Sequence, residues 1–222
     1  GYDSAGIAVR QDGAIQVRKR SGRVNELASL LEERPVHGHV GIGHTRWATH
    51  GGVTDTNSHP HVGGNGSVVL VHNGVIENHD QLRAQLQGLG YVFRTETDTE
   101  TIAHLIAHHL EEQIKLGEEP EAVATCLKAV EVSLRKLKGT YGLAILFDHL
   151  PDLIIAARNG SPLVIGVGDG EYYVASDASP LAGHTSEVVY LADHEIAILQ
   201  PHEFELLHRE TGKLSPSIQT ID

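Results

Sequence analysis

The 222-residue chain carries 17 Lys and Arg against 29 Asp and Glu, a formal net charge of -12 at pH 7, and is 40% hydrophobic. This is enough apolar material for one globular domain over 1–222, and the charge argues against nucleic-acid or anionic-membrane partners, which need clustered cations. No apolar run approaches the roughly 20 residues that span a bilayer, and the lone Cys126 excludes an internal disulfide, so a soluble protein of the reducing cytoplasm is expected.

In chain order, Ala5 to Val9 and Ala14 to Lys19 alternate like strands around Asp12-Gly13, a pair suited to a tight hairpin turn. Leu27, Leu30 and Leu31 share a helical face between Asn25 and Glu33. Two apolar runs follow, Val40 to Thr45 and Val68 to His72. Asn78 is placed to cap a helix carrying Leu82, Leu86 and Leu89, with Gly90 as its stop. Thr97 and Glu100 read as a capping box for a helix with Ile102, Leu105, Ile106 and Leu110 at helical spacing, and Asp98 falls in its first turn. A third long helix, the fourth in all, follows Pro120, with Cys126 on its apolar face, and Gly139 ends it.

From Tyr141 the texture changes to short apolar strands over 142–147, 153–157, 163–167, 172–175, 188–191, 195–199 and 204–207. Asn159-Gly160 and Asp169-Gly170 read as turns between antiparallel meanders. Strands, then helices, then strands indicate an α+β layered architecture rather than a parallel βαβ repeat.

Chemistry concentrates between Gly41 and Gly74, where both apolar runs end in polar clusters. The first is Thr45-Arg46-Trp47-Ala48-Thr49-His50-Gly51 and the second His72-Asn73-Gly74. Strand ends aim side chains at a ligand without burying them unpaired. Arg46 and Asp98 together can clamp an amino-acid zwitterion, through a two-pronged guanidinium and a carboxylate that accepts an ammonium. Spacing alone favours the other reading, in which Arg46 makes a structural ion pair and Asp98 interacts with its own helix terminus. Asn73-Gly74 reads either as an oxyanion hole or as a common turn.

The sixteen histidines include a cluster of His44, His50, His59, His61 and His72. Pro60 disfavours helix at His59 and no cysteine pair is present, so no metal site is expected. Cys126 reads as a buried packing residue rather than a nucleophile.

The strings GYDSAG, HTRWATHG, NSHPH, HNGVIEN, ETDTE, GTYGLAI and RNGSPLVIG, in this order, resemble the glutaminase domains of glutamine:fructose-6-phosphate aminotransferases, which are class II glutamine amidotransferases. The resemblance covers almost the whole chain. It implies an N-terminal nucleophile hydrolase-type four-layer αββα sandwich with two largely antiparallel sheets. By the same resemblance Arg46 holds the α-carboxylate of L-glutamine and Asp98 its α-ammonium, Thr49 and His50 line the pocket, and Asn73 and Gly74 form the oxyanion hole. Trp47 belongs to a loop that covers glutamine; a packed aromatic is its other reading.

The resemblance further implies a nucleophilic cysteine, followed by a strand and a helix, upstream of Gly1. Gly1 itself offers an α-amine but no thiol, so the chain reads as a glutaminase domain lacking its N-terminal segment and inactive alone. The parent would carry sugar-phosphate isomerase domains that accept ammonia onto fructose 6-phosphate and through which it forms a homo-oligomer. No cofactor is implied. The other readings are a catalytically silent glutamine-binding module, or the glutaminase domain of a different class II amidotransferase.

Overall fold

A computed structural model describes residues 2–222; Gly1, with the α-amine discussed above, lies outside the described residues. The chain opens with the expected hairpin. Strands β1 (Ser4–Gln11) and β2 (Ala14–Ser21) pair so that Gln11 faces Ala14, leaving Asp12 and Gly13 alone at the turn. Both have positive φ, 51° and 79°, the geometry whose twist matches the flanking strands. Helix α1 (Val24–Glu33) lays Leu27 and Leu30 on Ala5, and β3 (Gly41–Arg46) pairs with the free edge of β1.

Strands β4 (His61–Gly63) and β5 (Val68–Asn73) precede three helices, α2 (His79–Gly88), α3 (Asp98–Lys115) and α4 (Val123–Lys136). The remainder is β6 (Tyr141–Phe147), β7 (Leu150–Asn159), β8 (Val164–Val167), β9 (Tyr172–Ala175), β10 (Glu187–Tyr190), β11 (Glu195–Gln200), β12 (Glu203–His208), β13 (Gly212–Leu214) and β14 (Gln219–Thr220), with a 3₁₀ turn at Ser179–Leu181.

Seven strands form the central sheet, in the order β13-β12-β11-β7-β6-β5-β4. One face receives α3 and α4 through Ile102, Ile106, Leu110, Cys126, Val130 and Leu134, all buried against Leu70, Leu143 and Ile145. Burying a Leu or Ile side chain is worth roughly 1.5–3 kcal/mol, so this face holds the main core. Two smaller sheets, β2-β1-β3 and β14-β10-β8-β9, cover the other face through the Ala8–Ile42–Val71 and Ile165–Val189–Leu199 clusters. With α1 outside β1, the layers read helix, sheet, sheet, helix, and every strand pair is antiparallel.

Several expectations need correction. The covering layer is two separately hydrogen-bonded sheets rather than one. Asn159-Gly160 is not a hairpin turn; it carries the chain from β7 in the central sheet to β8 in the covering layer. Asn78 makes no side-chain cap. Its amide instead bridges to Lys136 O and Lys138 N, both at 2.9 Å, tying α2 to the end of α4. Leu89 falls beyond α2 and is exposed.

The capping box is half formed, because Thr97 Oγ1 accepts from Glu100 N while Glu100 turns away to Arg94 N, Thr95 N and Thr95 Oγ1. Those donors, with His104, hold its carboxyl at about 2 against a burial effect that works the other way. The short strands β4, β13 and β14 carry too few residues for an alternation signal.

Candidate active site

Strands β3 and β5 end in the two polar clusters, and the start of α3 faces them. One pocket of about 210 Å³ is lined by Arg46, Trp47, Thr49, His50, Asn73, Gly74 and Asp98, all seven residues singled out from sequence, together with Tyr2, His44, His59, His72 and Thr99. A larger groove of about 960 Å³ runs between the β4 edge and α3 on the far side of His61 and Glu100, and none of the seven lines it.

Arg46 is buried as the last residue of β3, with its guanidinium wrapped by its own loop. Nη1 donates to Gly52 O at 3.0 Å and Nη2 donates to His50 O. A guanidinium has five N–H groups, so three remain for a ligand. The loop is pinned at both ends. Ala48 N donates to Asp3 Oδ2 at 2.7 Å, and Gly52 N donates to Glu96 Oε2 at 3.1 Å. Asn57 locks that second anchor, with Nδ2 donating to Glu96 Oε2 and Gly52 O while Oδ1 accepts from Glu96 N. Trp47 projects from the loop, 68% exposed, which removes the packed-aromatic reading.

Asp98 is buried in the first turn of α3, where Oδ2 accepts from Ile76 N at 2.9 Å. Among the described residues the one basic side chain within 4.0 Å is His72, and it stays neutral because burial lowers its pKa more than Asp98 raises it. His72 Nδ1 pairs with Thr99 Oγ1 at 3.1 Å and Nε2 with Thr140 O at 3.1 Å. The Asp98 carboxylate therefore faces the pocket with no cationic partner.

Asn73 ends β5, and its Oδ1 is engaged by His44 Nε2 at 2.8 Å. Its Nδ2 and the N–H of Gly74 have no acceptor among the described residues. Gly74 sits at φ 123°, and a Cβ there would come 2.3 Å from Thr140 O, so only glycine lets the chain turn here.

Behind Asn73 lies the histidine cluster. The His44 and His59 rings stack at 4.0 Å with 16° between planes, and His59 meets His61 edge-on at 4.7 Å. Burial holds His44 at about 4, His61 at about 3 and His59 well below its ordinary range. The segment bearing His59 and His61 is held by Lys19 Nζ, which donates to Thr56 O, Ser58 O and Pro60 O at 3.0, 2.9 and 3.2 Å. Burial pulls this ammonium down to about 8, with Glu100 and Asp55 opposing.

Among the described residues, side chains close enough to share a metal ion are His108, His109 and Glu112, where Glu112 already takes a hydrogen bond with His109 at 2.7 Å and lies 3.2 Å from His108, about 15 Å along α3 from Asp98. Cys126 lies in the core between α4 and the central sheet, its thiol pushed up to about 12 by burial. No helix among the described residues is long and apolar enough to cross a membrane.

Asp3, Lys19, Asn57, Glu96 and Thr140, and His44 as a partner of Asn73, were not assigned to the site from sequence. The partners that tie them to the site lie 29 to 68 residues away, apart from local bonds such as Asn57–Gly52, and no periodicity marks such pairs.

Antiparallel sheets between helical layers, with a polar pocket at the ends of two strands, define an N-terminal nucleophile hydrolase-type amidotransferase fold, and the comparisons agree. The chain belongs to the glutamine amidotransferase domain family, which matches residues 44–183. It is 45% identical over 215 residues, 96% of the chain, to glutamine--fructose-6-phosphate aminotransferase [isomerizing] of Pseudomonas putida, and 46% identical over its whole length to the enzyme of that name from Chlorobaculum tepidum. The chain spans about a third of the length of these curated relatives, 33% and 35%. Among solved structures it is similar to the glutamine phosphoribosylpyrophosphate amidotransferase of B. subtilis, with TM-score 0.76 and 29% identity over 96% of this chain and 44% of that one. A predicted glutamine amidotransferase from Pseudomonas aeruginosa shares the fold at TM-score 0.60 and 14% identity, over 91% and 86% of the two chains.

Proposed function

We propose that the chain is the glutamine-hydrolysing, ammonia-donating domain of a longer glucosamine-6-phosphate synthase. The observation that carries this reading is the pair of unengaged donors, Asn73 Nδ2 and Gly74 N, sharing one pocket with an unpaired Asp98 carboxylate and an Arg46 guanidinium. Glutamine fits this set. Its α-carboxylate takes the remaining Arg46 N–H groups, its α-ammonium takes Asp98, and its side-chain carbonyl reaches the two donors.

The nucleophile is expected to be a cysteine N-terminal to Gly1, activated by its own α-amine. Tyr2, the first described residue, lines the same pocket as the two donors. The thiolate attacks the amide carbon, and the carbonyl electrons move onto oxygen, where Asn73 Nδ2–H and Gly74 N–H stabilise the negative charge. The cysteine's own α-amine, having taken the thiol's proton, returns it to the leaving nitrogen as the C–N bond breaks, releasing ammonia and leaving a γ-glutamyl thioester. Water then cleaves the thioester to glutamate and the free thiol. The Trp47 loop excludes bulk water while ammonia passes to a sugar-phosphate isomerase domain, where fructose 6-phosphate is the acceptor.

In the full-length protein, replacing the upstream cysteine by alanine should abolish ammonia release while glutamine still binds by calorimetry. Turnover persisting in that variant would remove the thioester route.

A further inference from the structure

We propose that His44 is the positioning residue of the oxyanion site, its Nε2–H holding Asn73 Oδ1 so that the Asn73 amide presents Nδ2–H to the reacting carbonyl. The inference rests on Asn73 being an oxyanion donor, as argued above. A carboxamide is nearly symmetric in shape, so the Asn73 side chain loses little packing if it turns over. Turned over, it would aim a carbonyl oxygen at a developing oxyanion and repel it. Nothing else in the site selects between the two orientations, because His44 Nε2, at 2.8 Å, is the only hydrogen-bond partner of the Asn73 side chain among the described residues.

His44 can select because it is itself fixed as an N–H donor at that atom. Its Nδ1 is buried without a hydrogen-bond partner, and Nε2 faces an oxygen, Asn73 Oδ1, so the proton of the neutral ring sits on Nε2. The ring plane is set by the stack on His59. His59 in turn is held by two features of the first hairpin. Lys19 binds the carbonyls on either side of it, and Gly6, opposite His44 in the sheet, lets the His59 carbonyl approach where a Cβ would come within 1.9 Å. The hairpin thereby determines the direction in which Asn73 points, although it contributes nothing to the pocket at these positions.

The test is a double-mutant cycle on glutaminase turnover in the full-length protein, with chemistry shown to be rate-limiting. His44→Ala should lower kcat about 10- to 100-fold, less than loss of the donor itself, with KM changed less than about twofold. His44→Gln, whose Nε2 can donate from a similar position, should recover most of the loss. In an Asn73→Ala background His44→Ala should cost nothing more, since its effect passes through Asn73.

A large Asn73→Ala effect with a fully additive His44→Ala effect would overturn the positioning role while leaving the oxyanion assignment standing. An Asn73→Ala variant with unchanged kcat would instead remove the assignment on which it rests. Should His44→Ala not fold, the wild-type ring decides. Nitrogen-15 histidine spectra must show His44 as the Nε2–H tautomer, and an Nδ1–H tautomer refutes the proposal.

Discussion

Asp98 Oδ2 accepts the backbone N–H of Ile76 at 2.9 Å, so the carboxylate at the start of α3 is fastened to the segment that leaves Asn73 and Gly74. One side chain therefore sets the distance between the proposed ammonium site and the proposed oxyanion donors. Its second oxygen remains for a ligand.

Asp98→Asn should keep the fold, because the amide oxygen still accepts from Ile76, while the charge that answers the α-ammonium is lost. A charge-assisted hydrogen bond is worth about 1.5–3 kcal/mol, which corresponds to a drop in glutamine affinity of roughly 10- to 150-fold. Calorimetry on the full-length protein measures this, with a thermal melt as fold control. Undiminished affinity would return Asp98 to a purely structural role.

Asn73→Ala should lower kcat for glutamine hydrolysis about 100- to 1000-fold with a smaller change in KM, because the donor strengthens its bond only as charge develops on the oxygen. Steady-state kinetics under rate-limiting chemistry separates the two parameters.

Gly74→Ala should destabilise the protein rather than merely slow it. The left-handed φ costs on the order of 1–3 kcal/mol for a side-chain-bearing residue, and the new Cβ would press on Thr140 O. A melting temperature equal to wild type would show that the β5 end can relax away from Thr140.

Acid should unfold the protein before its carboxylates titrate. His44 is neutral in the fold down to about pH 4 and His61 to about pH 3, whereas an unfolded histidine gains its proton near 6.5. Between those values the unfolded chain binds more protons than the folded one, so stability falls as pH falls. The contribution is complete above pH 6.5 and is lost down to the folded values, on the order of 3 kcal/mol for His44 alone. Glu100, held at about 2, adds a second loss below its ordinary range near 4.5. Urea midpoints at pH 7.5, 6 and 5 should decline in that order, and a flat series would mean the cluster hydrates before it protonates.

Cys126 should resist iodoacetamide in the folded protein, since its thiol is buried and held at about 12. Cys126→Ala should leave turnover unchanged and cost roughly 1 kcal/mol of packing. Rapid alkylation of the native protein would contradict the burial.

Local chemistry was legible throughout. The Asp12-Gly13 hairpin, the four helices and most strands follow from turn residues and from apolar spacing of two or of three and four, signals that need no partner to be read. The motif strings likewise pointed to Arg46, Trp47, Thr49, His50, Asn73, Gly74 and Asp98, and the structure gathers all seven around one pocket.

What those side chains touch was decided only by tertiary packing. Asn78 and Glu100 sit where helix caps belong, yet both bond elsewhere because competing backbone groups were brought within reach by the fold. Lys19 meets Ser58 and Pro60 across 39 and 41 residues, His44 meets Asn73 across 29, and His72 meets Thr140 across 68. A periodicity records which face of an element is apolar; it carries no information about the polar group on another element. The order of elements and the chemical types available at the site were therefore determined by the sequence itself. Layer stacking decided which donors are engaged and which, at Asn73 and Gly74, are left free, because a buried polar group takes whichever partner the packed layers place beside it.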